Sequence, residues 1–228
     1  MFKCQKLYIF IIAFLCVPVF ALYSQMVSPV FHYGSEETEE SLTFFDNDLL
    51  INAQNKLNRV IEQFPNNPAR DKAVLIVATS SMLRNNYHNA DAELKYLIKD
   101  YPNSPFVAPA KLLRAFIAFE QEKYQEAAKL FSEAKESSDG EYFKRKDSEY
   151  WYISQQSLYW KAVSYAQQGK YQDAQPIFES CYRTYPDGEY ADESLFSLGL
   201  IAELNRDFEI AVNYFRTAAT KYPFSNVF

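Results

Sequence analysis

The sequence predicts an all-α chain built from repeated antiparallel helix pairs, and three observations carry that reading. Only five of 228 residues are glycine, which leaves little room for hairpin turns, phosphate-binding loops or flexible linkers. Long stretches rich in Ala, Leu, Glu, Lys and Gln favour helix, because these side chains lose little freedom there. The alanines also keep a period: Ala53, Ala90, Ala127, Ala174 and Ala211 are separated by 37, 37, 47 and 37 residues.

Residues 1–21 read as a secretory signal peptide. Lys3 and Lys6 form a basic start, Leu7 to Val17 is apolar apart from Tyr8, and Val19-Phe20-Ala21 offers the small residues of a cleavage site after Ala21. The apolar run is short for a membrane-spanning helix. Leu15 stands where a lipidation signal at Cys16 needs a small residue, so lipidation is not expected. The expected location is therefore the periplasm or cell envelope.

Losing the leader takes the formal charge from −6 to −8, because no acidic residue precedes Ala21. Such a surface repels phosphate backbones and anionic headgroups, which argues against nucleic acid as a partner. Cys4 and Cys16 leave with the leader. Cys181 remains alone, without a partner for an internal disulfide.

Residues 22–31 read as a short linker, and 32–228 as a repeat domain of about five repeats. The first repeat is degenerate, with Ser41 at its small-residue position and an acidic run over Glu36 to Glu40, as suits a polar cap. An aromatic ring precedes four of the alanines by three residues, in Tyr87, Tyr124, Tyr171 and Phe208. Twelve residues after four of them comes a proline, at Pro65, Pro102, Pro186 and Pro223, each preceded by an aromatic residue. A second small-residue series, Ala78, Ala115, Ala162 and Gly199, runs in the same phase.

Two antiparallel helices explain both series: small residues at the crossing let the backbones approach, and proline ends the second helix. Leu57, Leu94, Phe131, Phe178 and Phe215 fall four residues after the alanines, on the same buried face. Cys181 falls seven after Ala174 and reads as a small core residue. The ten-residue excess of the 47-residue spacing lies near 135–150, where Ser137-Ser138-Asp139-Gly140 replaces the proline ending; it reads as a longer loop or an extended helix start.

Together these positions resemble tetratricopeptide repeats over residues 32–228. The period is three residues longer than the family's usual ~34. The extra residues lie in connections such as Tyr101-Pro102-Asn103-Ser104-Pro105-Phe106, and this longer form is similar to periplasmic proteins of outer-membrane assembly (the BamD type) and of the Tol-Pal system. The resemblance implies a right-handed superhelical solenoid whose first helices line a concave face.

On that implication a candidate protein-binding groove comprises Leu75, Ile76, Met82, Leu112, Leu113, Phe116, Phe119, Tyr159, Trp160, Val163, Phe196 and Leu200. Tyr159 and Trp160 stand out as anchors, and charged substitutions at Phe116 and Trp160 are expected to abolish capture while leaving helicity intact. A carboxylate clamp is not expected, because Lys72 is the only obvious basic residue along the face.

Catalysis finds little support. The two histidines, His32 and His88, have no metal-ligand spacing, and neither a phosphate-binding glycine loop nor a nucleophile elbow is present. The chain is expected to be no enzyme, to use no cofactor or metal, and to take no small-molecule substrate. The leading expectation is an exported scaffold that binds proteins or peptides, envelope or outer-membrane components among them. One alternative is an architectural N-terminal module of a larger exported protein, because Tyr222-Pro223 repeats the connection that elsewhere introduces another helix pair. Another is an enzyme or carbohydrate-binding protein with an aromatic groove.

Overall fold

A computed structural model describes residues 70–145 and 148–223, together with 51, 55, 57–59 and 61–63. The leader, the linker, nearly all of the first repeat and the last five residues lie outside the described residues, and so do those expectations. The side chains of 142–149 are likewise not described.

Among the described residues from Arg70 onward eight helices follow one another: α1 (Arg70–Leu83), α2 (Tyr87–Asp100), α3 (Val107–Glu120), α4 (Tyr124–Arg145), α5 (Ser148–Gln167), α6 (Tyr171–Thr184), α7 (Ala191–Leu204) and α8 (Phe208–Lys221). The described residues between 51 and 63 are helical as well, and no strand occurs among the described residues. Each helix packs on the next; in addition α1 touches α3, and α3 touches α5. The first helices of successive pairs thus form a layer of their own, as in an α-solenoid.

The small-residue series explains why the pairs close. Ala78, Ala115 and Ala162 are fully buried on first helices, opposite Ala90, Ala127 and Ala174 on second helices. Leu94, Phe131 and Phe178 fill the space one turn further on. In the last pair Gly199 replaces alanine. A Cβ there would lie 2.4 Å from the Phe215 ring, so the missing side chain makes room for the aromatic one.

The turn inside each pair repeats as faithfully as the helices. Asn85, Glu122, Gly169 and Arg206 all have positive φ, between 57° and 72°, and each lies five residues before a series alanine. Each turn is closed by a six-residue backbone bond, such as Asn86 N–H to Ser81 O at 2.9 Å and Lys123 N–H to Ala118 O at 2.9 Å. A shorter bond within it runs from Asn85 N–H to Met82 O at 2.8 Å. This is the Schellman ending of an α-helix, in which a left-handed residue lets two amides reach back to orphan carbonyls.

The inserted residues form no long loop. They prolong α4 to 22 residues and α5 to 20, where the other six helices have 14. Without a proline after residue 138 nothing stops the helix, and polar contacts fix the longer pair. Ser138 donates to the carbonyl of Tyr150, Ser154 donates to Asp139 Oδ1 at 2.5 Å, and Lys135 pairs with Asp139 at 2.5 Å. Tyr150 in turn donates to the carbonyl of Pro105 at 3.1 Å, tying the extended helix to the preceding connection.

Candidate protein-binding face

The layer of first helices carries all twelve predicted groove residues, but it does not leave them open. Met82, Leu112, Leu113, Phe116, Tyr159, Trp160 and Val163 are buried, with Leu112 and Trp160 at 0% exposure. Leu75, Ile76, Phe119, Phe196 and Leu200 are part-exposed.

The expectation that Tyr159 and Trp160 are anchors is therefore corrected, and the cause is aromatic packing between neighbouring first helices. Trp160 meets Phe116 edge-on at 5.4 Å, Phe119 at 5.1 Å and Tyr159 at 5.7 Å. Tyr159 stacks on Tyr190 at 4.8 Å, and Phe116 packs against Phe131 at 5.1 Å. Edge-to-face and offset contacts at these distances are attractive beyond the area they bury. The rings satisfy one another and form the core, so charged substitutions at Trp160 or Phe116 would disrupt folding before they reported on binding.

What the centre of the layer adds is polar. Ser154, Gln155, Gln156 and Ser157 are all buried on α5, so this helix is enclosed around its whole circumference there. Gln156 Nε2 donates to the Tyr190 hydroxyl at 3.0 Å. Its Oε1 is buried without a hydrogen-bond partner, as are Gln155 Oε1, Ser157 Oγ, Trp160 Nε1 and Glu193 Oε2. Each such atom costs part of its lost hydration.

Burial, with a further contribution from Asp192, pushes the Glu193 carboxyl up to about 9, so it is neutral at neutral pH. Burial and the nearby Glu193 charge raise the Tyr159 hydroxyl as well. Cys181 lies beside this region, buried, with its thiol pushed up to about 11 mainly by desolvation; it packs as the sequence led one to expect and has little thiolate character.

The sequence reading missed these groups because Ser154-Gln155-Gln156-Ser157 looks like a solvated helix face. A signal was present: Gln156 and Glu193 are 37 residues apart, as are Tyr159 and Phe196, so each couple occupies one repeat position. The period shows that they share a surface, and packing decides whether that surface is open.

Between repeats the contacts are partly ionic. Arg114 of α3 donates to Asp91 of α2 at 2.7 Å, and Lys95 pairs with the same carboxylate at 2.5 Å. Partial burial would raise the Asp91 carboxyl, but the hydrogen bonds from Arg114 and Lys95 outweigh it and hold the group below its ordinary value. Among the described residues no cluster of three or more His, Cys, Asp or Glu side chains could hold a metal ion, and no helix is long and apolar enough to cross a membrane.

Comparison with known proteins agrees with this architecture. Tetratricopeptide-repeat family descriptions match residues 82–142, 156–188 and 193–225. A crystal structure of MamA is 19% identical, with a TM-score of 0.59 over 84% of this chain and 97% of its own. MamA from Desulfovibrio magneticus RS-1, starting at its position 41, is 11% identical, with a TM-score of 0.54 over 79% and 98%. A tetratricopeptide repeat protein from Parabacteroides merdae is 14% identical, with a TM-score of 0.58 over 89% of this chain and 68% of its own. None of the curated proteins searched matches in sequence. At these identities the structural likeness establishes the fold.

Proposed function

We propose that this chain, which belongs to the tetratricopeptide-repeat family, is an exported scaffold of the cell envelope that holds a protein or peptide on the exposed parts of its first-helix layer. Repeats of this family are protein-interaction scaffolds. The observation that carries the binding reading is the distribution of exposure. Aromatic packing closes the middle of the layer, whereas apolar side chains stay part-exposed toward both ends: Leu75 and Ile76 on α1, Phe196 and Leu200 on α7, with Phe119 at the end of α3. Apolar residues held on rigid helices suit an extended or helical peptide, because little further ordering is needed on binding. Export rests on the basic, apolar and small-residue order of residues 1–21.

Fractionation and intact-mass measurement test the location. The mature chain should begin after Ala21 and partition with the envelope; a full-length chain in the cytosol would refute export. Crosslinking in the envelope fraction tests the face. Leu75→Asp with Leu200→Asp should abolish the crosslinked partner while the circular dichroism stays that of the wild type, and unchanged crosslinking would refute the binding face.

A further inference from the structure

A cleft of about 160 Å³ opens where α2, α3 and α4 meet. His88 and Asp91 of α2, Arg114 of α3, and Lys123 and Glu126 at the start of α4 supply its polar lining. Ile117, Ala118 and Leu130 add a buried apolar wall. Arg114 is two residues, about 200° around the helix, from Leu112 and Phe116, so the cleft opens on a different side of α3 from the first-helix face.

Arg114 gives the cleft its chemistry. Its Nε donates to Asp91 Oδ1 at 2.7 Å, and Lys95 Nζ lies 2.5 Å from Asp91 Oδ2, so both oxygens of that carboxylate are taken. The two terminal nitrogens of Arg114 make no hydrogen bond among the described residues, and the side chain, 17% exposed, stays in reach of solvent. A guanidinium fixed through Nε presents its remaining N–H groups as a fork that matches the two oxygens of a carboxylate.

The repeat register shows that packing does not require this arrangement. At the next junction His88, Asp91 and Arg114 are replaced by Gln125, Ala128 and Lys161, and at the following one by Gln172, Gln175 and Leu198. The helix pairs stack at all three junctions.

Charge and size select the ligand. Glu126 in the lining and Glu120, whose charge reaches Tyr87, repel a dianion such as phosphate. The volume takes a group of side-chain size, and the apolar wall suits its methylenes. We propose that this cleft binds a single carboxylate on a short apolar stem through the open edge of Arg114, a site separate from the first-helix face. A glutamate side chain of a partner protein and a free short-chain acid share that chemistry.

NMR titration of the chain, reading the Arg114 guanidinium and His88 ring signals, tests it. The probes are butyrate, a capped tripeptide with glutamate between two alanines, and the same tripeptide with glutamine. Butyrate or the glutamate tripeptide should shift both signals and saturate at about millimolar concentration, and the glutamine tripeptide should shift neither. Tighter binding of the tripeptide than of butyrate assigns the site to a partner's side chain, and the reverse order to a free acid. Arg114→Lys keeps the charge but loses the fork, and should weaken binding by about tenfold or more at unchanged helicity. His88→Glu, at an exposed position, adds negative charge to the lining and should abolish binding. No saturable shift with either carboxylate, an equal response to the glutamine tripeptide, or wild-type binding by either variant would overturn the proposal.

Discussion

Single residues in this fold matter through what burial does to them. Trp160 is the clearest case, being fully enclosed by Phe116, Phe119 and Tyr159. Truncation to alanine should cost about 3–5 kcal/mol in chemical denaturation, because neighbouring rings on two packed helices cannot collapse into the cavity. Glu193 makes a prediction of opposite sign. Its carboxyl titrates near 9 in the folded chain and in the ordinary carboxylate range when unfolded, so between those values the unfolded state binds fewer protons. The protein should be more stable at pH 5 than at pH 8, losing this contribution as pH rises toward the folded value. Glu193→Gln should flatten that loss and stabilise the fold at pH 8 by on the order of 1–3 kcal/mol. Urea midpoints for wild type and variant at the two pH values would decide; parallel curves would mean that Glu193 is ionised in the fold.

At the scale of helices and turns, two positions carry a residue that the local backbone does not favour. Glu122 is exposed and holds a positive φ of 58° in a turn where the next repeat has Gly169 at 72°. Glu122→Gly should raise stability by roughly 0.5–1 kcal/mol, since the left-handed strain exceeds glycine's added chain entropy. Gly140 is the reverse case, an exposed glycine inside α4 whose added Cβ would meet nothing within 4 Å. Gly140→Ala should stabilise the long helix by about 0.5–1 kcal/mol, and a thermal melt that moves down would contradict continuous helix there. The turn positions 85, 122, 169 and 206 keep the repeat spacing, but Asn, Glu, Gly and Arg share no chemistry. Backbone conformation recurs where side-chain identity does not, so no motif announced the turn.

Across the whole molecule, stability should follow position in the array. A solenoid's repeats contact only their neighbours, so enclosure rises toward the middle. Here α5 is enclosed on every side over Ile153 to Trp160, whereas α8 leaves Phe208 and Val212 at least half exposed. Amide hydrogen exchange should therefore show α5 as the slowest helix and α8 among the faster ones. Uniform protection would indicate that the chain opens as one unit.

The sequence by itself determined the helix pairs, their phase and the small-residue crossings, because those follow from chain-local periodicity: alanine every 37 residues, a large side chain four later, proline at the end of most repeats. It also pointed to the correct layer for the twelve groove positions. Tertiary structure alone decided which of them face solvent. Whether Trp160 is an anchor or a core ring depends on how closely α3 and α5 approach, and whether Gln156 is wetted or sealed depends on Tyr190, at the start of α7, closing over α5. That separation is set by the fit of many side chains at once, and no repeat spacing encodes it.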